Sequence, residues 1–473
     1  MNQTRPFGMS DKIGYFFGDL GNGLVFQLAS IYLMKFYTDI LLVDALFVGN
    51  VFLFSRIVDA FTDVGMGKIA DSSKPTKDGK FKPWLKRVAI FVAFASFLMY
   101  QSGMASQPDS IKKIYVVVTY LFWGSICYTA INIPYGSMAS VMTNVPAERT
   151  QLSSFRSFGG IGAGVILGYT LPSVVYTVNE NGTRVLDGTR FTIAAGVVSL
   201  AAAISYLVCF YMCTERIEYV EKPKETSENK KSILENLAML ISNRALLSLI
   251  LSSVVLLLAM IAAGSMGTYL YQDYFQDTYV MKYLELVKMI PMFMIMPLAG
   301  GITTKVGRKE AGVFSLLVTG GIYLILLFVS LPQNRTGAYM FLVATFIANC
   351  SLGYYNLVTW AYVMDVIDDQ EVKNGTRDDG TVYALYSFSR KLGQACAGYV
   401  GAYAVAMSGY SKELVKQGLP QTVETAKKIY QFSVGIPGVF YIVVALIMLF
   451  TFPLSKAKVE ENNRILAERR KNN

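Results

Sequence analysis

Histidine is missing from all 473 residues of the sequence. Its absence excludes imidazole proton shuttles, histidine metal sites and histidine-based catalytic triads together. Any proton handled by this chain must ride on a carboxylate. Charge is also scarce, at 16% of residues, against about 25% in soluble domains. With 53% hydrophobic residues and a mean hydropathy of +0.40, the chain reads as a polytopic membrane protein. Cysteine is sparse. Cys127, Cys209, Cys213, Cys350 and Cys396 all fall in apolar stretches, are odd in number and lack metal-type spacing, which reads as packing thiols. No cleavable leader is expected either. Met1 to Asp11 is polar, and the long first apolar stretch has no small-residue cleavage pattern behind it, so the first span is expected to stay.

What is present is a series of apolar stretches of about 20 residues. They cover 13–41, 45–67, 85–105, 112–142, 150–176 and 191–213, then 246–272, 280–303, 311–331, 337–364, 380–408 and 429–453. The expected fold class is an all-α membrane protein of twelve transmembrane helices. The charged stretch 214–245 reads as a linker between two six-helix halves, 1–213 and 246–453, with a tail at 454–473. Lys68, Lys74, Lys77, Lys80, Lys82, Lys86 and Arg87 form the densest basic stretch between close spans, and the linker and the tail follow. All three fall on one side of a twelve-span count, which places both termini in the cytoplasm and the chain in the cell membrane. Lys112, Lys113, Lys412, Lys416, Lys427 and Lys428 run against this bias. The net charge of +10 follows from topology, and no nucleic-acid partner is expected.

The halves echo each other. Gly67-Lys-Ile-Ala-Asp71 and Gly79-Lys-Phe-Lys-Pro83 follow the second span; Gly300-Gly-Ile-Thr-Thr304 and Gly307-Arg-Lys-Glu310 follow the eighth. Two such halves around a central cavity are the arrangement of major facilitator transporters. Asp365, Asp368, Asp369, Glu371, Asp378 and Asp379 read as an acidic loop between spans ten and eleven, a counterpart for basic loops or simply a solvated segment.

Arg56, Asp59 and Asp63 lie three and four residues apart inside the apolar run from Ala45 to Met66. At about 100° per residue they share one narrow helix face. A charge at the centre of a membrane helix costs about 2.5 to 3.5 kcal/mol on insertion scales, so all three are expected to face partners rather than lipid. Two carboxylates at one depth repel each other unless a proton or metal cation sits between them, and a neighbouring arginine compensates only in part. The pattern points to a cation site. Thr62 can add an oxygen or bond back to its own backbone.

In the fourth span, Tyr128 and Asn132 stand four apart on one face, with Thr129 beside them as a neutral oxygen for a hard cation. Asp19, in Gly18-Asp-Leu-Gly-Asn22, reads as an acceptor for substrate hydroxyls, or as a helix-start cap or structural ion pair. Arg156 sits in the fifth span, and Arg390 and Lys391 in the eleventh. Adjacent helical residues point about 100° apart; Lys391 is expected to face the cavity, where it can neutralise the carboxylates or hold a substrate oxygen. Trp123 and Tyr128 are the aromatics expected to stack on a sugar face.

The run Arg56-Ile-Val-Asp-Ala-Phe-Thr-Asp63, then Gly67 and Gly79-Lys-Phe-Lys-Pro-Trp84, resembles the signature of the glycoside-pentoside-hexuronide:cation symporter family. Asn132-Ile-Pro-Tyr-Gly-Ser137, Tyr386-Ser-Phe-Ser-Arg-Lys391-Leu-Gly-Gln394 and Tyr37-Thr-Asp39 are similar to its motifs in spans four, eleven and one. The resemblance implies a major facilitator fold, with Asp59 and Asp63 as coupling-cation carboxylates, Thr129 as a neutral ligand, Lys391 as the cation beside them and Arg156 in the sugar site. The chain departs from the melibiose carriers of that family. Asn132 stands where those have an acid, Gly136 where they have an aromatic, and Gly23 in place of an acid in span one, with Asp19 a turn earlier. In these positions it looks more like the glucuronide and xyloside carriers.

The function expected is therefore symport of a glycoside, pentoside or hexuronide with Na+ or H+ by alternating access. Asp59, Asp63 and Thr129 would hold the ion if it is Na+, and Lys391 and Arg56 would couple it to substrate. No cofactor beyond the ion is expected, and the carrier is expected to be monomeric. The alternative is a lipid or lysolipid carrier of the same fold. A membrane-embedded enzyme would need a clustered nucleophile, base or metal motif, and the sequence offers none. A non-transporting sensor is a further alternative.

Overall fold

The computed structural model describes residues 5–143, 145–179, 184–217, 243–374 and 379–472. Twelve long helical runs appear among them. The first six are α1 (Met9–Leu28, continued through the π-helical stretch Ala29–Leu33 to Met34–Asp39), α2 (Ala45–Ser72), α3 (Lys82–Leu98), α4 (Asp109–Leu121, π-helical Phe122–Tyr128, then Thr129–Met142), α5 (Pro146–Val175) and α6 (Gly188–Met212). The second six are α7 (Arg244–Tyr269, continued by π-helical Leu270–Tyr274), α8 (Leu284–Val306), α9 (Arg308–Phe328), α10 (Arg335–Asn374), α11 (Asp379–Met407) and α12 (Val423–Phe450). A final polar helix, α13 (Lys456–Asn472), follows. Among the described residues, ten helices are long and apolar enough to cross a bilayer, and α1 and α11 fall short of that measure. A short antiparallel hairpin joins α5 to α6, with Tyr176 opposite Leu186 and Val178 opposite Arg184.

Local chemistry sets the helix starts. Asp44 accepts the Leu46 and Phe47 amides ahead of α2, Asp187 accepts Arg190 N–H ahead of α6, and Asn243 accepts Leu246 N–H ahead of α7. Pro83 and Pro146 occupy the first turns of α3 and α5, where a missing N–H costs nothing. The echoed loops share a backbone feature: Gly79 and Gly307, just ahead of α3 and α9, have φ of +113° and +107°, which a side chain would strain. Lys80 Nζ donates to the Asp71 carbonyl at 2.5 Å, tying the loop to the end of α2. Glu215 accepts the amides of Lys80, Phe81 and Lys82.

The chain forms two compact units. One comprises Met1–Lys224, Tyr271–Glu285 and Val405–Thr422; the other comprises Glu225–Leu270, Leu286–Ala404 and Val423–Asn473. In the first, α1 packs along α5 and α6, α3 along α6, and α2 against α4. Glycine makes the α1–α5 approach close: a Cβ on Gly159 would stand 2.3 Å from the Phe16 carbonyl, and one on Gly23 2.7 Å from Ala163 Cβ. The first unit also holds a buried polar cluster. Lys35 Nζ lies 2.8 Å from Asp273 Oδ2, 3.0 Å from Asp39 Oδ2 and 2.9 Å from the Tyr410 hydroxyl, which donates to Asp39 Oδ1 at 3.0 Å. Lys35 is fully buried.

In the second unit α9 packs on α10 and α12, and α7 on α12. Here the expected acidic loop is corrected. Asp365, Asp368, Asp369 and Glu371 are helical, on the last turns of α10, because neighbours neutralise and cap them. Arg308 pairs with Asp365, Lys373 with Asp369 at 2.6 Å, Asn462 of α13 donates to Asp369 at 3.1 Å, and Arg469 donates to the Glu371 and Val372 carbonyls. Asp378 lies outside the described residues, as does the side chain of Asp379.

Candidate cation and substrate sites

Both sites described here lie within the first unit. The cation site forms where α2 faces α4. Asp59 and Asp63 stand one turn apart on α2, and Ser125 and Thr129 stand one turn apart on α4, at the end of its π-helical stretch. The two pairs meet as successive rungs. Ser125 Oγ donates to Asp59 Oδ1 at 2.5 Å, and Thr129 Oγ1 lies 3.0 Å from Asp63 Oδ1. Arg56 Nη1 pairs with the other Asp59 oxygen, Oδ2, at 3.0 Å. The wider π turn sets the placement of Thr129: its backbone N–H bonds the Gly124 carbonyl five residues back, and its hydroxyl lies 3.3 Å from the same oxygen. Ser125 and Thr129 are 2% and 4% exposed.

Among the ligands expected from sequence, Asp59, Asp63 and Thr129 come together, with Arg56 beside them. Thr62 does not join them. Its hydroxyl turns back onto its own helix, 3.3 Å from the Val58 carbonyl and 3.2 Å from that of Asp59, the ordinary outcome for threonine in an apolar helix. Ser125 was not among the expected ligands; its only signal is the four-residue step to Thr129, which matches the step from Asp59 to Asp63.

A second polar group lies where α1 meets α5. Arg156 Nε pairs with Asp19 Oδ1 at 3.0 Å, and its guanidinium carbon lies 5.2 Å from the centre of the Tyr135 ring. Asp19 is thus an ion-pair partner, one of the readings its sequence position allowed. Nη1 of Arg156 lies 3.9 Å from where a Cβ on Gly136 would stand, so glycine at that position leaves the guanidinium uncrowded. Asn132 Oδ1 is 3.4 Å from Asn22 Nδ2, and Asn22 in turn accepts the Tyr206 hydroxyl at 2.9 Å. Gln27 donates to the Gly160 carbonyl at 2.8 Å. Asn22 and Gln27 also escaped the sequence reading, as amides inside an otherwise apolar span.

Tyr128 connects the two groups. Its ring stacks on Phe26 at 5.9 Å and leans on Trp123 at 5.5 Å, and Asp19, Arg156, Arg56 and Asp63 all act on it electrostatically. Trp123 lies beside Tyr128 and is buried. It is 2% exposed, its indole N–H finds no acceptor among the described residues, and Tyr128 and Tyr120 lie against its ring. Lys391 falls on α11, and its side chain lies outside the described part of the structure. Arg390, beside it, places its guanidinium 5.9 Å from the centre of the Trp360 ring, within the second unit.

The family model for MFS/sugar transport proteins matches residues 14–456. The chain is 30% identical to the uncharacterized symporter YjmB of Bacillus subtilis (strain 168) over 90% of its length and 87% of the relative's. It is 29% identical to a glucuronide carrier protein homolog of Escherichia coli (strain K12), over 95% and 93%. Among solved structures it resembles a D-xylose-proton symporter with a TM-score of 0.61 and 14% identity, covering 94% of this chain and 96% of that one. That likeness shows the fold, an all-α major facilitator architecture. A sugar-type membrane transporter rather than an enzyme, the chain belongs to the MFS/sugar transport family, in its glycoside-pentoside-hexuronide:cation symporter branch.

Proposed function

We propose that the chain couples the movement of a glycoside, pentoside or hexuronide to that of a monovalent cation, Na+ or H+, by alternating access between its two six-helix halves. In this reading it works as a monomer in the cell membrane with both termini in the cytoplasm. The observation that carries it is the pair of rungs between α2 and α4. Two carboxylates and one arginine leave a single net negative charge there, which one monovalent cation balances.

Coupling follows from charge. Tyr128 lies between the two groups, under the stronger influence of Asp19, Arg156 and Arg56 and the weaker one of Asp63. A bound cation cancels the Asp63 part of that field and alters the environment of the substrate group. By linkage, substrate then tightens cation binding to the same extent, typically by about 1 to 3 kcal/mol. On the substrate side, Asp19 and Asn132 offer acceptors for hydroxyls, Tyr128 offers a ring face, and Arg156 a cation for a carboxylate. Gly136 leaves room beside that guanidinium. Together with the likeness to a glucuronide carrier homolog, this favours a hexuronide over a neutral xyloside.

Purified protein in proteoliposomes tests the reading. Uptake of a labelled glucuronide is expected to exceed that of a xyloside and to accumulate when a Na+ or proton gradient is imposed. Asp59→Asn and Asp63→Asn should each abolish accumulation while exchange persists. Accumulation against a gradient in both variants overturns the assignment.

A further inference from the structure

We infer that Ser125 is a specificity-determining ligand of the coupling cation, making the site one for Na+ rather than for a proton. The inference rests on the assignment of Asp59 and Asp63 as the cation site.

A proton and an alkali cation ask different things of a pair of carboxylates. A proton bonds covalently to one oxygen and is satisfied by one further acceptor. Na+ sheds part of a hydration shell on entry and needs several oxygens arranged around it in return, as hard cations do. Two carboxylates alone would suit the proton. The second rung changes this. Ser125 Oγ stands on Asp59 Oδ1 at 2.5 Å, and Thr129 Oγ1 on Asp63 Oδ1 at 3.0 Å. Each hydroxyl keeps its lone pairs while it lies against a carboxylate, so two carboxylate–hydroxyl rungs from two helices, one helical turn apart, offer oxygen ligands of both kinds.

The surroundings make Ser125 more than a packing residue. Its side chain is buried, and its hydroxyl bonds across to Asp59 rather than back to a carbonyl of its own helix, the usual habit of serine in an apolar helix. Arg56 occupies the other oxygen of Asp59. Oδ1 of Asp59 is the oxygen that Arg56 leaves and the one on which Ser125 stands, so a cation bound there lies beside the serine hydroxyl. Alanine at this position would leave Thr129 as the one neutral ligand and shift the balance towards the proton.

Equilibrium binding of radioactive Na+ to the purified full-length protein in lipid nanodiscs tests this without knowing the sugar. The wild-type protein is expected to bind the label and release it to unlabelled NaCl. Ser125→Ala should raise the NaCl concentration for half-displacement about tenfold, as loss of groups around a metal does. It should also change the ratio of LiCl to NaCl needed, and make binding more sensitive to lowered pH. Ser125→Thr, which keeps the hydroxyl, should restore wild-type displacement. Unchanged displacement in Ser125→Ala overturns the inference. Equal weakening in Ser125→Thr does so too, because it assigns the residue to packing. Asp59→Asn reports on the underlying site: if it abolishes binding while Ser125→Ala does nothing, the role of Ser125 alone falls. A wild-type protein that binds no radioactive Na+ also overturns the inference and leaves a proton-coupled carrier.

Discussion

Arg156 reaches Asp19 through Nε, which leaves the two terminal nitrogens of the guanidinium for another oxygen pair. Lysine keeps the charge and loses the planar fork. Arg156→Lys should therefore raise the substrate concentration for half-maximal uptake about tenfold, the worth of one hydrogen bond to a charged group. An initial-rate series in proteoliposomes measures it; no change would show that the fork is not used. At this scale the sequence revealed charge well and hydroxyls poorly. Asp59, Asp63 and Arg56 stood out because a charge in an apolar run demands a partner. Threonine and serine demand none, since each can bond to its own backbone. That ambiguity is why Thr62 was expected in the site and turned away, and why Ser125 passed unnoticed.

Helices were the most legible part of the chain. Apolar stretches marked all twelve long runs, since a bilayer-spanning helix needs about 20 such residues. Their ends were less legible. The helix α10 extends to Asn374, ten residues past the apolar stretch, because Arg308, Lys373 and the helix α13 neutralise its acidic turns. No sequence pattern announced the π-helical stretch Phe122–Tyr128, which depends on how α4 meets its neighbours. The α1–α5 contact depends on glycine. A methyl at Gly159 would sit 2.3 Å from the Phe16 carbonyl, and a backbone atom cannot step aside as a side chain can. Gly159→Ala should destabilise the protein by about 1 to 3 kcal/mol, the range for overpacking, seen as a lower melting temperature in detergent. Gly65→Ala, where nothing stands within 4 Å, is the control and should melt close to the wild type.

At the scale of the molecule, the division into two units departs from a simple cut at the linker. Residues Tyr271–Glu285 and Val405–Thr422 come from the second half of the sequence and belong to the first unit. Periodicity and composition act locally and could not reveal this; it depends on contacts such as Lys35 with Asp273 and Tyr410. Replacing Lys35 with methionine would leave two buried carboxylates facing each other. Breaking a buried pair from one side typically costs about 3 to 5 kcal/mol, so Lys35→Met should lower the melting temperature markedly. Adding Asp273→Asn should recover part of the loss, and equal melting of the single and double variants would show that the pair is not coupled.

The same cluster bears on how the chain is made. Lys35 leaves the ribosome 238 residues before Asp273 and 375 before Tyr410, so for most of synthesis two of its partners have still to be made, while Asp39 follows it within one turn. Domains otherwise tend to fold as units in order of emergence, yet here the earliest one waits for nearly the last loop. A nascent chain halted at the linker would carry an unfinished first unit, a natural substrate for membrane quality control.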